Sequence, residues 1–359
     1  MNCYHVLTFA IWTKLDYIGQ IMIEKQPPAK PATIYDVADR AGVSKSLVSL
    51  VLRGATNVSP ARRELVEKAI KELGYRPSRF AQQLASSNSR SIGVVITDYK
   101  NLSYLSFLKG LREIFDDAGY QVIISDLHRS QNFAEDPIDA FMSLKVDGIV
   151  LATEAAGLHF EQLDVPVVMI GNRATKATNA DVVFNDDYEG TRLALEHLVQ
   201  FGHKRIAHIS GVGGVANIRR QAFLKLVKEF EIEGEVYGLG EPTTEIGGYL
   251  GTMEMLKSGK QFTAIFAAND YMAAGAMSAL KEHGLSVPED ISIVGYDDSP
   301  IASDFLLKLT TVDEQGIPVG RQTASLLLER IGGTGQYSPK QILIKPTLIS
   351  RSSVSSPKK

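Results

Sequence analysis

Sulfur chemistry is nearly missing from this chain: 359 residues hold one cysteine, Cys3. A lone thiol forms no intrachain disulfide and no cysteine zinc cluster, and it fits a reducing compartment such as the cytoplasm. The seven histidines include no pair at helical spacing with an acid between them, so no helix-borne metal site is expected. His203 and His208 lie in GHKRIAHIS, a turn followed by a strand, where structural roles are expected. There is no G-x-x-x-x-G-K-[ST] phosphate loop and no G-x-S-x-G elbow. The run GVGG at 211–214 lacks the full dinucleotide spacing and reads as a loop. No cofactor, no metal and no bond-making chemistry are therefore expected. The apolar run at 6–12 is far too short to span a bilayer. It has no basic residue before it and no small-residue cleavage site after it, so it does not read as a signal peptide. Residues 1–32 read as a disordered extension, and Met22, heading MIEKQPPAKPATIYDV, looks like a natural start.

What is present is a charge asymmetry. Between Thr33 and Arg90 ten Lys or Arg stand against five acids, a net of +5, whereas the whole chain carries −3, so the remainder carries −8. A basic head on an acidic body suggests that one part meets a polyanion and the rest does not.

The basic segment also carries a pattern of three short helices. Thr33 with Asp36 offers a capping-box start. Ile34, Val37, Ala38 and Ala41 share one helical face. Gly42 supplies a left-handed turn that a Cβ resists. Ser44 is a candidate cap for a second helix near 45–52. There Leu47, Val48, Val51 and Leu52 can face a core, with Lys45, Ser46, Ser49 and Leu50 nearer the outside. Ser59-Pro60 opens a third helix, with Leu65, Val66, Ala69, Ile70 and Leu73 as its stripe. Gly74 ends it and Pro77 blocks an early restart. Helix, tight turn, helix is the order of a helix-turn-helix, whose second helix enters the major groove.

The joint pattern of TIYDVADRAGVS, VSLVL, VSPARRELVEKAIKELGYRP, AQQLA, SIGVVI, VPVVMIGNR, TAIFAANDYMAAGAMSAL and GLSVPEDISIVGYDDSP resembles the LacI/GalR family of bacterial transcriptional regulators. The likeness runs from about Thr33 almost to the C-terminus. It implies base-reading positions at Lys45, Ser46 and Leu50. It places Thr33, Ser44, Ser49, Arg53 and Ser59 at or near phosphate-contacting positions. It also implies a hinge helix over 79–85, with Arg79 and a minor-groove wedge at Leu84. Leu50 stands where the family usually has Arg. Leucine offers apolar contact, for example to a thymine methyl, where arginine would read guanine, so a different operator is expected.

Beyond residue 90 short apolar runs alternate with amphipathic stretches. Strands are expected at 92–97, 121–126, 148–152, 166–171, 205–210, 263–268 and 291–296. Helices are expected at 104–118, 138–145, 187–201, 218–230, 245–257, 271–283 and 314–330. Such alternation predicts parallel sheets covered on both faces, and about 270 residues exceed one core. The expected fold is an all-α helix-turn-helix domain joined to a two-lobed, doubly wound α/β body. The resemblance makes that body periplasmic-binding-protein-like. The expected layout is a head over 33–78, a hinge over 79–90 and a body over 91–350, with a disordered tail over 351–359. Within the body one lobe is expected over about 91–172 and 303–337, and the other over about 173–302 and 338–350.

Open α/β sheets bind ligands beyond the C-terminal ends of their strands. That rule selects Asp98 and Tyr99, Asn172, Asn269 and Asp297, with Tyr104 as added apolar surface. The resemblance adds Arg219, in IRRQAF. Asp270 and Asp298 read as caps or structural acceptors. The resulting expectation is a cytoplasmic homodimeric repressor on a pseudo-palindromic DNA operator, controlled by a small effector such as a sugar. A transport binding protein would instead need a signal peptide and no DNA module. A nucleotide-dependent enzyme would need a phosphate loop.

Overall fold

In the computed structural model the described residues are 32–52, 54–75, 89–126, 137–152, 163–171, 180–333 and 338–358. The chain divides into two compact units, residues 1–87 and 88–359.

The first unit is a bundle of three helices, α1 (Ile34–Ala41), α2 (Lys45–Leu52) and α3 (Pro60–Leu73). Thr33 and Asp36 form the full capping box at the start of α1, and Gly42, at φ 64°, ends it. Ser44 Oγ accepts from Leu47 N at the start of α2. Gly74 closes α3 at φ 60°. Val37, Ala38, Val48, Val51, Val58, Val66 and Ala69 make the core. Leu65 and Leu73, expected on the apolar stripe of α3, are instead 51% and 36% exposed. The small core buries only Val66 and Ala69 of this helix, with Ile70 packed against it.

The second unit contains two six-stranded sheets. The strands in chain order are β1 (Ser91–Ile96), β2 (Gln121–Asp126), β3 (Gly148–Ala152), β4 (Val167–Ile170), β5 (Asp181–Asn185), β6 (Arg205–Ile209), β7 (Glu233–Tyr237), β8 (Ala264–Ala267), β9 (Ser292–Tyr296), β10 (Thr310–Asp313), β11 (Gln341–Ile344) and β12 (Thr347–Ile349). The helices are α4 (Tyr104–Asp117), α5 (Pro137–Ser143), α6 (Asp187–Gln200), α7 (Gly214–Glu229), α8 (Glu245–Lys257), α9 (Asp270–Glu282) and α10 (Gly316–Gly332). The first sheet runs β11-β5-β4-β3-β1-β2 and the second β12-β10-β9-β8-β6-β7. Every pairing is parallel except β12 against β10. Fully buried strands such as SIGVVI and GIVLA read as unbroken apolar runs because helices cover both faces. On one face of the first sheet α4 and α10 pack so closely that a Cβ at Gly110 would strike the carbonyl of Ile317.

Strand pairing moves the lobe borders away from those expected. β5 pairs with β4, so the chain stays in the first lobe past residue 172, to Asn185. β10 pairs with β9, so the second lobe continues past residue 302, to Asp313. β11 returns to β5, so the third crossing falls at Lys345–Pro346 rather than near residue 337. The lobes are thus 89–185 with 316–344, and 187–313 with 347–358. The tail also differs from expectation, since residues 351–358 are packed on the second sheet. Ile293 N donates to Ser353 O, Thr310 N donates to Ser353 Oγ, and Ser353 Oγ donates to Ile293 O. Val354 is buried in the core of α6 and α7. His203 is structural as expected, with its ring bonded to Thr263 Oγ1 and the carbonyl of Ser355.

Candidate nucleic-acid interface and ligand cleft

On the first unit α2 turns Val48 and Val51 inward and leaves Lys45 and Ser46 exposed, as a recognition helix requires. Leu50 is half-buried, packed against the small core, and its carbonyl accepts from Ala55 N. Lys45 Nζ donates to Tyr35 Oη at 3.1 Å and lies 4.7 Å from that ring's centroid. Tyr35, 60% exposed, is a surface feature that the helical pattern alone did not single out. Of the four hydroxyls expected near phosphate, Thr33 Oγ1 is engaged with Asp36 and Ser44 Oγ with Leu47 N, whereas Ser59 makes no side-chain cap bond. Ser49 is half-buried on α2. Two basic residues serve the bundle itself. Arg63 donates to Ala55 O at 2.6 Å, and Arg40 pairs with Glu72 at 2.6 Å. Arg53, Arg79, Leu84 and Asn172 lie outside the described residues.

The second unit holds a cavity of about 190 Å³ between its lobes. It lies beyond the C-terminal ends of the strands, where doubly wound sheets place their ligands. Arg219, on the second turn of α7, is its most connected wall residue, at 4% exposure. Its Nε donates to Asp187 Oδ1 at 3.0 Å, and its Nη1 donates to Asp297 Oδ1 at 3.0 Å and to Ala268 O at 2.7 Å. Its Nη2 lies 3.6 Å from Glu314 Oε2. Burial alone would lower the Arg219 pKa, but Asp297 and Asp187 more than offset this and hold it above the usual arginine range.

Asp297 sits at φ 105°, an uncommon conformation for a residue with a Cβ, and one that concentrates at functional sites. Burial pushes its carboxyl up to about 6, against the pull of Arg219. Asn269 has two duties. It caps α9, with Oδ1 accepting from Met272 N at 2.8 Å, and it lines the cavity while Nδ2 donates to Thr243 O. Tyr104 lines the opposite wall, its hydroxyl bonded to Ala152 O at 2.9 Å.

Asp98 and Tyr99 do not join this wall. The Asp98 carboxylate closes its own turn by accepting from Lys100 N. Tyr99 is 54% exposed and bonds back to Ile124 O on β2. Asp270 and Asp298 are structural acceptors, as expected. Asp270 takes Ser299 and Thr311, and Asp298 takes Arg351. The strand-end rule missed Asp187 and Glu314 because β5 and β10, which they follow, were not recognised as strands. The β-branched runs VVF and TTV were the available signal.

Comparison with known proteins agrees with both units. Residues 33–78 match the family described as bacterial regulatory proteins, lacI family, and residues 195–354 match the periplasmic binding protein-like domain. The chain is 34% identical over 342 residues to the HTH-type transcriptional repressor PurR of Haemophilus influenzae (strain PittEE), covering 90% of this chain and 99% of that one. Among solved structures, the lac repressor dimer bound to operator and the anti-inducer ONPF superposes with a TM-score of 0.78 at 32% identity, over 91% of this chain and 100% of that one. The complex of the transcriptional regulator CelR with cellobiose gives 0.67 at 29% identity, over 90% of this chain and 99% of that one. A capped helix-turn-helix head, a two-lobed body and full-length similarity to these regulators lead to one conclusion: the chain belongs to the LacI/GalR family of DNA-binding transcriptional repressors.

Proposed function

We propose that this protein represses transcription from a pseudo-palindromic operator as a homodimer, and that a sugar or similar polyol in the cleft sets its operator affinity. The observation that carries the ligand reading is the Arg219 cluster. A buried guanidinium, the carboxylates of Asp187 and Asp297 and the Asn269 amide meet at one inter-lobe cavity. These groups can exchange hydrogen bonds with hydroxyls of either polarity. The cellobiose-bound relative supports the same ligand class. On this reading the protein acts in the cytoplasm and performs binding and coupling without bond chemistry.

The proposal extends to the segment joining the units. Residues 79–85, too short for a stable lone helix, fold when two copies pair on DNA, and Leu84 wedges into the minor groove. Arg79 is assigned a DNA contact, Arg53 a phosphate or base contact, and Asn172 an effector contact. Effector state reaches DNA by biasing lobe closure, and hence the geometry of the two hinges.

A gel shift on DNA upstream of the protein's own gene, with and without a panel of sugars, tests the whole reading. Arg219→Ala is expected to keep operator binding and lose the effector response. An unchanged response in that variant defeats the cleft assignment. Operator binding by Leu84→Ala as tight as that of the parent defeats the wedge.

A further inference from the structure

Within the proposed effector cleft, the side chains do not balance in charge. Asp187, Asp297 and Glu314 converge on one guanidinium, and Arg219 is the single cationic side chain lining the cavity among the described residues. The geometry divides these acids. Asp187 and Asp297 each accept a direct 3.0 Å hydrogen bond from Arg219. Ala268 O takes a further bond from Nη1, so the donors of Nε and Nη1 are committed to the wall. Glu314 Oε2 stands 3.6 Å from Nη2, beyond hydrogen-bond reach, and the side chain keeps 26% exposure toward the cavity. Its backbone is fixed, because the Asn185 amide donates to the Glu314 carbonyl. The carboxylate is therefore held at the wall by its main chain, ion-paired with Arg219 at 3.6 Å but without the direct hydrogen bond that Asp187 and Asp297 each receive.

We propose that the effector carries a protonated amine, seated against Glu314 with Asp297 beside it, so that the ligand class is an amino sugar or another amine-bearing polyol. This rests on the cleft being the effector site. A neutral hydroxyl can donate a hydrogen bond to Glu314 but brings no cation to a cavity where three acids face one guanidinium. An ammonium supplies a second cation and a direct charge-assisted hydrogen bond to the carboxylate. The electrostatics of the wall point the same way. Burial, and then the neighbouring Asp297 charge, push the Glu314 acid up to about 8, against the pull of Arg219. An ammonium seated there compensates the ionised carboxylate, which burial and Asp297 otherwise disfavour. Arg219 remains available as the wall that orients the two aspartates toward ring hydroxyls.

The test uses the full chain and isothermal titration at pH 7, with matched ligand pairs. Parent hexoses are set beside their 2-amino-2-deoxy and 6-amino-6-deoxy counterparts, and N-acetylated forms serve as uncharged controls. The expected result is an amine bound at least tenfold more tightly than its neutral parent, with the preference falling to near parity in Glu314→Gln. Operator binding in a gel shift verifies that this variant is folded. Neutral parents that bind as tightly as their amines overturn the inference and leave the cleft reading standing. An amine preference that survives in Glu314→Gln overturns the assignment to Glu314. Absence of binding across all pairs removes the cleft reading, and this inference with it.

Discussion

The guanidinium carbon of Arg219 lies 3.5 Å from the ring centroid of Tyr296, so the cleft arginine is stacked on an aromatic floor. The Tyr296 hydroxyl is buried and finds no hydrogen-bond partner among the described residues. Gly190 of α6 lies over it so closely that a Cβ there would strike the hydroxyl oxygen. Tyr296→Phe keeps the stack and removes a polar group that gains nothing from burial. It is expected to leave stability unchanged or raise it by about 1 kcal/mol. Tyr296→Leu loses the stack and is expected to cost about 1–2 kcal/mol. Urea denaturation midpoints of the two variants check both signs.

Glu314 makes the protein sensitive to base. Its folded pKa is raised from 4.5 to about 8, so its contribution is intact below pH 4.5 and is lost as pH rises toward 8. Glu314→Gln lacks that loss. The variant is expected to match the parent near pH 4.5 and exceed it at pH 8 by on the order of 1 kcal/mol. Denaturation curves at the two pH values provide the comparison.

His208 acts in the opposite direction. It is stacked between Phe223 and Phe266 at 5.0 and 4.9 Å, and burial lowers its pKa from 6.5 to about 4. The unfolded chain binds the proton more readily, so stability is full above pH 6.5 and falls as pH drops toward 4. His208→Gln keeps a side-chain donor but does not titrate. Between pH 6.5 and 4 the parent is expected to lose up to about 3 kcal/mol more than this variant. Thermal melts across that range read the difference.

Removal of residues 351–359 is expected to destabilise the body by about 2–4 kcal/mol. The cut exposes Ser292, Ile293 and Thr310 and deprives Asp298 of its 2.6 Å bond from Arg351. A melting temperature equal to that of the full chain contradicts the strap.

Leu50→Arg is expected to move operator preference toward guanine at one position per half-site, with a discrimination of about 1–3 kcal/mol. Selection from a randomised half-site library, parent beside variant, reads the shift directly.

The tail shows where the sequence stops being legible. SRSSVSSPKK is polar and without period, so its text carries no packing signal. Its order comes from the Ser353 carbonyl and side-chain hydroxyl, which bond to the main chain of β9 and β10, partners some 40 to 60 residues away. The head was legible because its signals are local: Thr33 with Asp36, Gly42 and Gly74 act within one turn of chain. Seven strands with unbroken apolar runs were legible for the same reason. β5, β7, β10, β11 and β12 were not, because polar residues interrupt their short apolar runs and sheet pairing is what defines them. From the misplaced strands followed the misplaced crossings, and with them the oversight of Asp187 and Glu314. Asp98 and Tyr99 illustrate the converse error. They stand just beyond a strand end, yet local hydrogen bonds claim them first.

Glu314 also occupies one of the three places where the polypeptide passes from lobe to lobe, between Asp313 of β10 and Gly316 of α10. Asp187 begins the helix just after another such passage. Recognition chemistry and articulation therefore share the same few residues. Substitutions that retune which molecule is welcomed will also alter how freely the halves swing, so evolution of ligand preference in this protein is tied to evolution of its switching range.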